Sequence, residues 1–253
     1  MIVERIDAFS DNYIWLLYQT GSREAFVVDP GDAAPVEKAL QAKNLSLHGI
    51  LVTHHHPDHV GGIDALTQQW DIPVFGPSSI EQVTDPVSEG SNFEIMGTAF
   101  HVIEVPGHTL DHIAYIAGDE HLLFCGDTLF AGGCGRLFEG SPAQMWHSLA
   151  RLVQLPGDTR IYCAHEYTQA NLRFAKAVEP ENPELTKRIQ RVSELREKKQ
   201  ATVPSTLVEE LHTNPFLRVD QPTVKAAAEQ RAHHALNGPS EVFRVIREWK
   251  DNF

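Results

Sequence analysis

Short apolar runs bounded by turn residues fill the first two-thirds of the chain: Tyr13–Tyr18, Ala25–Asp29, Gly49–Thr53, Phe100–Val105, His112–Ile116, Leu122–Cys125 and Arg160–Cys163. Their length and their content of branched and aromatic residues predict β-strands. Between them, Ala33–Lys43, Gly62–Trp70 and Pro142–Leu155 carry apolar residues at helical spacing, and Met145, Leu149, Leu152 and Val153 make one stripe in the last of these. Strands interleaved with helices predict an α/β or α+β domain. From about Ala170 the texture changes to helical segments rich in Glu, Lys, Arg and Gln, including Leu185–Lys199 and Val224–Leu236, with no comparable strand runs. Thr206-Leu-Val-Glu209 reads as a capping box, and Ser240 reads as the cap of a final helix running to Trp249. The expected organisation is a mixed domain over residues 1–169 and a smaller, all-helical domain over 170–253.

Composition narrows the partners. A chain of 253 residues can bury a substantial core, so size excludes little. With 21 Lys+Arg against 34 Asp+Glu, the net charge of −13 argues against nucleic acid and anionic membranes as partners. An anionic small substrate would need local cations in this repelling field. The acidic, weakly apolar start Met1–Asp11 does not read as a signal peptide, and no stretch reaches the length of a membrane span, so a cytoplasmic protein is expected. Cys125, Cys134 and Cys163 are odd in number and sit inside regular motifs, which suits small buried residues in a reducing compartment better than a disulfide framework.

The chemistry concentrates in His54-His55-His56-Pro57-Asp58-His59, where an apolar strand opens into a loop. In extended chain, residues i and i+2 point the same way, which aims His54 and His56 at one metal and His55 elsewhere. Asp58 and His59, past the bend, are placed to serve a second. Clustered imidazoles are costly to bury without a proton or a metal, and the internal, interrupted run is no purification remnant. Three further strand ends each offer one ligand: His108 in Pro106-Gly-His108, Asp127 in Gly126-Asp-Thr128, and His165 in Ala164-His-Glu166. A carboxylate can bridge two ions, so Asp127 is the natural shared ligand. His55, His101, His121, His147, His212, His233 and His234 stand outside this pattern, and His112 is read as a supporting or core histidine. Asp29 either hydrogen-bonds a ligand imidazole or caps a turn. Such a centre brings the pKa of a bound water near neutrality and polarises a substrate oxygen, so hydrolysis is the expected chemistry, while iron in the same N/O ligands leaves oxidative chemistry open.

Thr53-His-His-His-Pro-Asp-His59, Pro106-Gly-His-Thr109, Gly126-Asp-Thr128 and Ala164-His-Glu-Tyr167, in this order, resemble the metallo-β-lactamase superfamily. The resemblance implies an αββα sandwich. Asp11-Asn-Tyr13, Gly126-Asp-Thr-Leu-Phe130, Gly133-Cys-Gly-Arg136, Phe138-Glu-Gly140, Ala164-His-Glu-Tyr-Thr168, Asn171-Leu-Arg-Phe-Ala175 and Asn214-Pro-Phe-Leu-Arg218 are similar, more narrowly, to the glyoxalase II (hydroxyacylglutathione hydrolase) family over nearly the whole chain. That likeness implies one metal on His54, His56 and His108 and another on Asp58, His59 and His165. Asp127 and a hydroxide would bridge them, with Asp58 and Asp127 catalytic. The implied reaction is hydrolysis of S-D-lactoylglutathione to D-lactate and glutathione, the second step of methylglyoxal detoxification. Arg136, Tyr167, Arg247 and Lys250 match the family's glutathione-binding positions. Independently, Arg247 and Lys250 lie three apart on the predicted final helix, able to clamp an anion.

Several positions depart from patterns common in that family: Arg136 for Lys, Phe138 for Tyr, and Asp111 and Ala164 for Gly. Phe138 removes a hydroxyl and bears on affinity more than chemistry, and Asp111 adds a carboxylate close to the expected metals. The expected cofactors are two divalent ions, zinc first, with iron and manganese as alternatives. The expected partner is a small-molecule glutathione thioester, and the chain is expected to be a monomer. Two rival readings are an iron-dependent glutathione persulfide dioxygenase of the same superfamily and a non-catalytic metal-binding protein on this scaffold.

Overall fold

The computed structural model describes all 253 residues. Strands β1 (Ile2–Ala8), β2 (Asn12–Tyr18) and β3 (Glu24–Val28) form an antiparallel meander, and β4 (Ser46–Leu51), β5 (Val74–Gly76) and β6 (Asp85–Pro86) extend it in parallel. The crossovers carry helices α1 (Ala33–Lys43), α2 (Pro57–Val60) and α3 (Ile63–Gln69). A second, antiparallel meander is built from β7 (Asn92–Ile95), β8 (Thr98–Glu104), β9 (Ile113–Ala117) and β10 (Leu122–Gly126).

The unbroken apolar run of β2 follows from cover on both faces of its sheet. Ile14 and Leu16 join Val36 and Leu40 of α1 and Ile63 and Leu66 of α3 in one core cluster, while Trp15 and Leu17 are equally buried on the opposite face. The two meanders pack against each other there. Phe93 stacks on Phe75 at 4.9 Å, and the fully buried Tyr115 hydroxyl donates to Val52 O and Phe75 O at 2.8 and 3.0 Å. Burial raises the pKa of this phenol well above its ordinary value.

The chain divides into two compact units that do not follow sequence order. One is Met1–Glu104 with Asp111–Gly126, and the other is Val105–Leu110 with Asp127–Phe253. The second unit begins with a hairpin of β11 (Leu129–Phe130) and β12 (Gly133–Cys134), followed by α4 (Pro142–Leu152), β13 (Arg160–Cys163), α5 (Thr168–Val178) and α6 (Pro183–Glu197). It closes with β14 (Ser205–Thr206), α7 (Leu207–Thr213), α8 (Pro222–Ala232) and α9 (Pro239–Asp251). A capping box of Ser141 and Gln144 starts α4, and Asn182 caps α6 by accepting from Glu184 N and Leu185 N.

Local expectations needed correction where tertiary contacts outweigh pattern. Thr206 does begin α7, but its side chain makes no capping bond, so the expected capping box is absent. Ser240 lies inside the first turn of α9, whose N-cap is Gly238 at φ 91°. Helix α4 ends at Leu152, not Leu155, and α8 stops at Ala232, not Leu236. β14, in a region with no strand signal, exists because it pairs antiparallel with β13.

Candidate metal centre

In the first unit the chain leaves β4 at Leu51, and Pro57 occupies the first position of α2, where its missing N–H costs nothing. This turn is held against residues 30–33. A Cβ on Gly31 would meet Asp58 O at 1.9 Å, and one on Gly62 would meet Pro30 O at 2.5 Å, so only glycine permits that approach. The result gathers three imidazoles, with the ring of His54 4.7 Å from that of His56 and 4.1 Å from that of His59. His55 diverges from them as the alternation requires. It is partly exposed, and its Nδ1 lies 3.0 Å from Asp111, which also accepts from Ser79 Oγ at 2.8 Å.

Asp29 organises this cluster. It is buried at φ 52°, a conformation Asp tolerates better than most residues, and its carboxylate accepts from Thr53 N at 2.7 Å and Thr53 Oγ1 at 2.8 Å. The same oxygen that takes the Thr53 hydroxyl lies 3.0 Å from His59 Nδ1. Asp29 therefore faces a ligand-type imidazole while accepting its hydrogen bonds from Thr53. Because the Thr53 hydroxyl donates to Asp29, its oxygen is left to accept from His54 Nδ1 at 3.1 Å. The His54 imidazole is thereby set with the proton on Nδ1 and a lone pair on Nε2, the form that binds metals. Asp58 is oriented by Asn12 Nδ2, which donates to its Oδ2 at 2.9 Å. His112, fully buried, stacks on His54 at 4.5 Å with its Nδ1 3.0 Å from Ile113 O, a supporting position as expected.

In the second unit, His108 and His165 each place Nε2 3.3 Å from the same oxygen, Asp127 Oδ2. His108 Nδ1 donates to Arg136 O at 2.8 Å, which leaves the lone pair of its Nε2 directed at the carboxylate. A lone pair against a buried carboxylate is repulsive unless a cation lies between them, so the donor set fits a divalent metal. Tyr167 stacks on the His165 ring at 4.7 Å, and Phe138, largely exposed, meets the His108 ring edge-on at 5.2 Å.

The expected anion-binding cations also lie in this unit, and their environments differ. Arg136 is exposed, with Nε 3.3 Å from Asp251 Oδ1. Arg247 is buried, donating from one nitrogen to Cys134 O at 2.9 Å and from the other to Asp251 Oδ1 at 2.9 Å, with its guanidinium over the Phe216 ring. Arg247 is thus engaged within the fold and does not share one free helix face with Lys250. The Lys250 ammonium lies over Phe174, and its pKa is lowered by burial first, then by Arg247 and Arg173. Asp251, which joins the two arginines, carried no sequence signal beyond its place one residue after Lys250. Asn12 stood inside a quoted motif without a role.

The burial and ligand chemistry of both units define a metal-dependent enzyme scaffold, and comparison with known proteins agrees. The model of the metallo-β-lactamase superfamily matches residues 10–165, and that of the hydroxyacylglutathione hydrolase C-terminus matches 166–253. The hydroxyacylglutathione hydrolase of Pseudomonas aeruginosa (strain LESB58) is 53% identical, covering 99% of each chain, and that of Idiomarina loihiensis is 51% identical, covering 100% of each. Among solved structures, ETHE1 from Myxococcus xanthus superposes with a TM-score of 0.69 at 24% identity, over 98% of this chain and 91% of that one, a likeness of fold alone. The chain belongs to the metallo-β-lactamase superfamily and, within it, to the hydroxyacylglutathione hydrolase family. Its fold is the metallo-β-lactamase fold with a C-terminal helical region. No helix is long and apolar enough to cross a membrane.

Proposed function

We propose that this protein hydrolyses S-(2-hydroxyacyl)glutathione thioesters, S-D-lactoylglutathione among them, to the hydroxy acid and glutathione. Asp127 carries the reading: one carboxylate oxygen faces two imidazoles, a donor arrangement suited to a shared ligand between ions. In this reading His54, His56 and His108 would hold one divalent ion and Asp58, His59 and His165 the other, with Asp127 as the ligand shared between them. Ions bound there supply Lewis acidity and make a water acidic enough to ionise near neutral pH.

The protein's own groups do the rest. Thr53, itself held by Asp29, and the Arg136 carbonyl hold the tautomers of His54 and His108, so binding requires no proton shuffling on these rings. Asn12 donates to Asp58 and so orients its carboxylate, which would hold the attacking water by accepting one of its protons. The water's oxygen forms the new bond to the thioester carbon, and the C–S bond breaks with its electron pair on sulfur. Thiolate leaves readily, so a strong general acid is unnecessary. Arg136 and Lys250 meet the glutathione carboxylates, and Tyr167 flanks the tripeptide beside His165.

Residues 1–169 form the catalytic region in this reading, and 170–253 contribute to glutathione binding. Zinc is the first expected metal, on the grounds of its N/O ligand preference. A monomer suffices, since one chain carries every proposed donor and cation. The buried thiols Cys134 and Cys163 suit the cytoplasm. The test is loss of thioester absorbance from S-D-lactoylglutathione with zinc-loaded protein, run beside sulfite release from glutathione persulfide. Turnover of the thioester supports the reading; sulfite without thioester hydrolysis overturns it in favour of the dioxygenase.

A further inference from the structure

The hairpin of β11 and β12 separates Asp127 from Arg136, and five of its main-chain polar groups are held by buried side chains from the helices that follow. Asn214, at the end of α7, donates from Nδ2 to Phe130 O at 3.2 Å and Gly133 O at 2.9 Å. Asn171 of α5 donates to Ala131 O at 3.2 Å, Glu210 of α7 accepts from Gly132 N at 2.7 Å, and Arg247 of α9 donates to Cys134 O at 2.9 Å. All four side chains are at most 6% exposed. Gly132 and Gly133 make the approach possible, because a Cβ on either would lie 2.8 Å from Leu172 or 2.6 Å from Asn171.

At its far end the hairpin returns the chain onto the metal ligands. A Cβ on Gly135 would meet Asp127 O at 2.0 Å and His108 Nδ1 at 3.1 Å, and the next residue, Arg136, supplies the carbonyl that sets the His108 tautomer. Glu210 in turn is held by Arg188 of α6 at 2.5 Å, a buried pair of which the guanidinium also donates to Thr213 Oγ1 at 2.6 Å. A buried ion pair is rarely kept for stability alone, since apolar replacements of like volume serve about as well. Its polar chemistry is needed here to accept an amide proton deep in the protein.

We infer that the C-terminal helices act as a clamp on this hairpin, with Glu210 the positioning residue whose hold on Gly132 N–H keeps Asp127 and His108 in metal-binding register. The inference rests on the proposed roles of Asp127 and His108 as ligands. It assigns the helical region a part in building the metal site, separate from any contact with substrate.

The test compares full-length wild type with two double variants that leave no buried unpaired charge, Arg188→Met with Glu210→Gln and Arg188→Met with Glu210→Leu. The Gln side chain keeps an oxygen for Gly132 N–H; the Leu side chain does not. Zinc affinity is measured by chelator competition, amide exchange is followed at residues 132–135, and kcat and KM are determined separately. The Leu variant is expected to exchange faster at Gly132, to bind zinc about tenfold or more weakly, and to lose kcat with KM within about twofold of wild type. The Gln variant is expected to stay near wild type in all of these. A folded Leu variant that exchanges faster yet binds zinc and turns over like the Gln variant overturns the inference. If the double variants fail to fold, Asn171→Ala removes only the bond to Ala131 O, and faster hairpin exchange without weaker zinc binding refutes the clamp equally. Affinity and exchange need no substrate, so wild type that fails to cleave the thioester would sink the proposed function while leaving this test intact.

Discussion

Asp29→Asn is nearly isosteric and retains tolerance of the φ 52° backbone, yet it should reverse the polarity of the hydrogen-bond chain that runs through Thr53 to His54. The amide oxygen can still accept from Thr53 N, as Asp29 Oδ1 does at 2.7 Å. The amide nitrogen then replaces Oδ2, which lies 2.8 Å from Thr53 Oγ1 and 3.0 Å from His59 Nδ1. Thr53 must accept from the amide, so its hydroxyl proton turns toward His54 Nδ1, 3.1 Å away. The His54 ring is pushed toward carrying the proton on Nε2, the nitrogen a metal would need, and His59 loses the negative charge beside its Nδ1. Loss of such a supporting partner weakens metal binding by about 10- to 100-fold, or about 1.4 to 2.7 kcal/mol, for one imidazole. With one ring held through the carboxylate, the loss should fall within that range. The stability of metal-free protein should fall less, by about 1 to 3 kcal/mol, because the main-chain bond survives. Chelator competition against zinc, with thermal melts of the metal-free form, measures both. Zinc affinity within threefold of wild type would refute the tautomer argument.

Asp127→Asn should lower metal content and thioester hydrolysis together, since a neutral amide is a poor bridge; elemental analysis showing two ions per chain with full activity would remove Asp127 from its role. Lys250→Met keeps the apolar stem over Phe174 and should raise KM about three- to tenfold with kcat and melting temperature little changed, whereas Arg247→Met should also destabilise the fold, because its guanidinium bonds Cys134 O. An unchanged KM for the lysine variant would demote that position to packing. Burial pushes the thiol of Cys134 up to about 11 and that of Cys163 up to about 12, so neither should react with a thiol reagent at pH 8 until the protein unfolds. The same shifts carry a sign for stability: folded-state values above the ordinary 9.0 mean that the unfolded chain loses these protons first, and stability falls as pH rises from about 9 through 12. Denaturation midpoints that do not fall over that window for wild type relative to a Cys163→Ala variant would contradict the second claim.

Chemistry was legible in the sequence wherever it is local. Alternation along an extended segment separates His55 from His54 and His56, and the structure turns His55 toward Asp111 while the rings of His54, His56 and His59 gather. Strand boundaries were readable where burial covers both faces, as in β2, and were missed in pieces such as β14, whose two residues are strand only because β13 lies beside them. The capping box at Thr206 and the cap at Ser240 were misjudged for a related reason, since a capping pattern describes what the chain permits and not which end contacts are made.

Residue type and spacing along the chain thus determined the family, the fold class and the candidate ligands, because these depend on side-chain chemistry and short-range periodicity. Tertiary structure alone decided what holds those ligands. Asp29 reaches across 24 positions to Thr53, Glu210 across 78 to Gly132, and Arg247 across 113 to Cys134. Such partners have no signature in spacing, and the cost of leaving a buried amide, imidazole or guanidinium unmet is what selects them once the chain has closed.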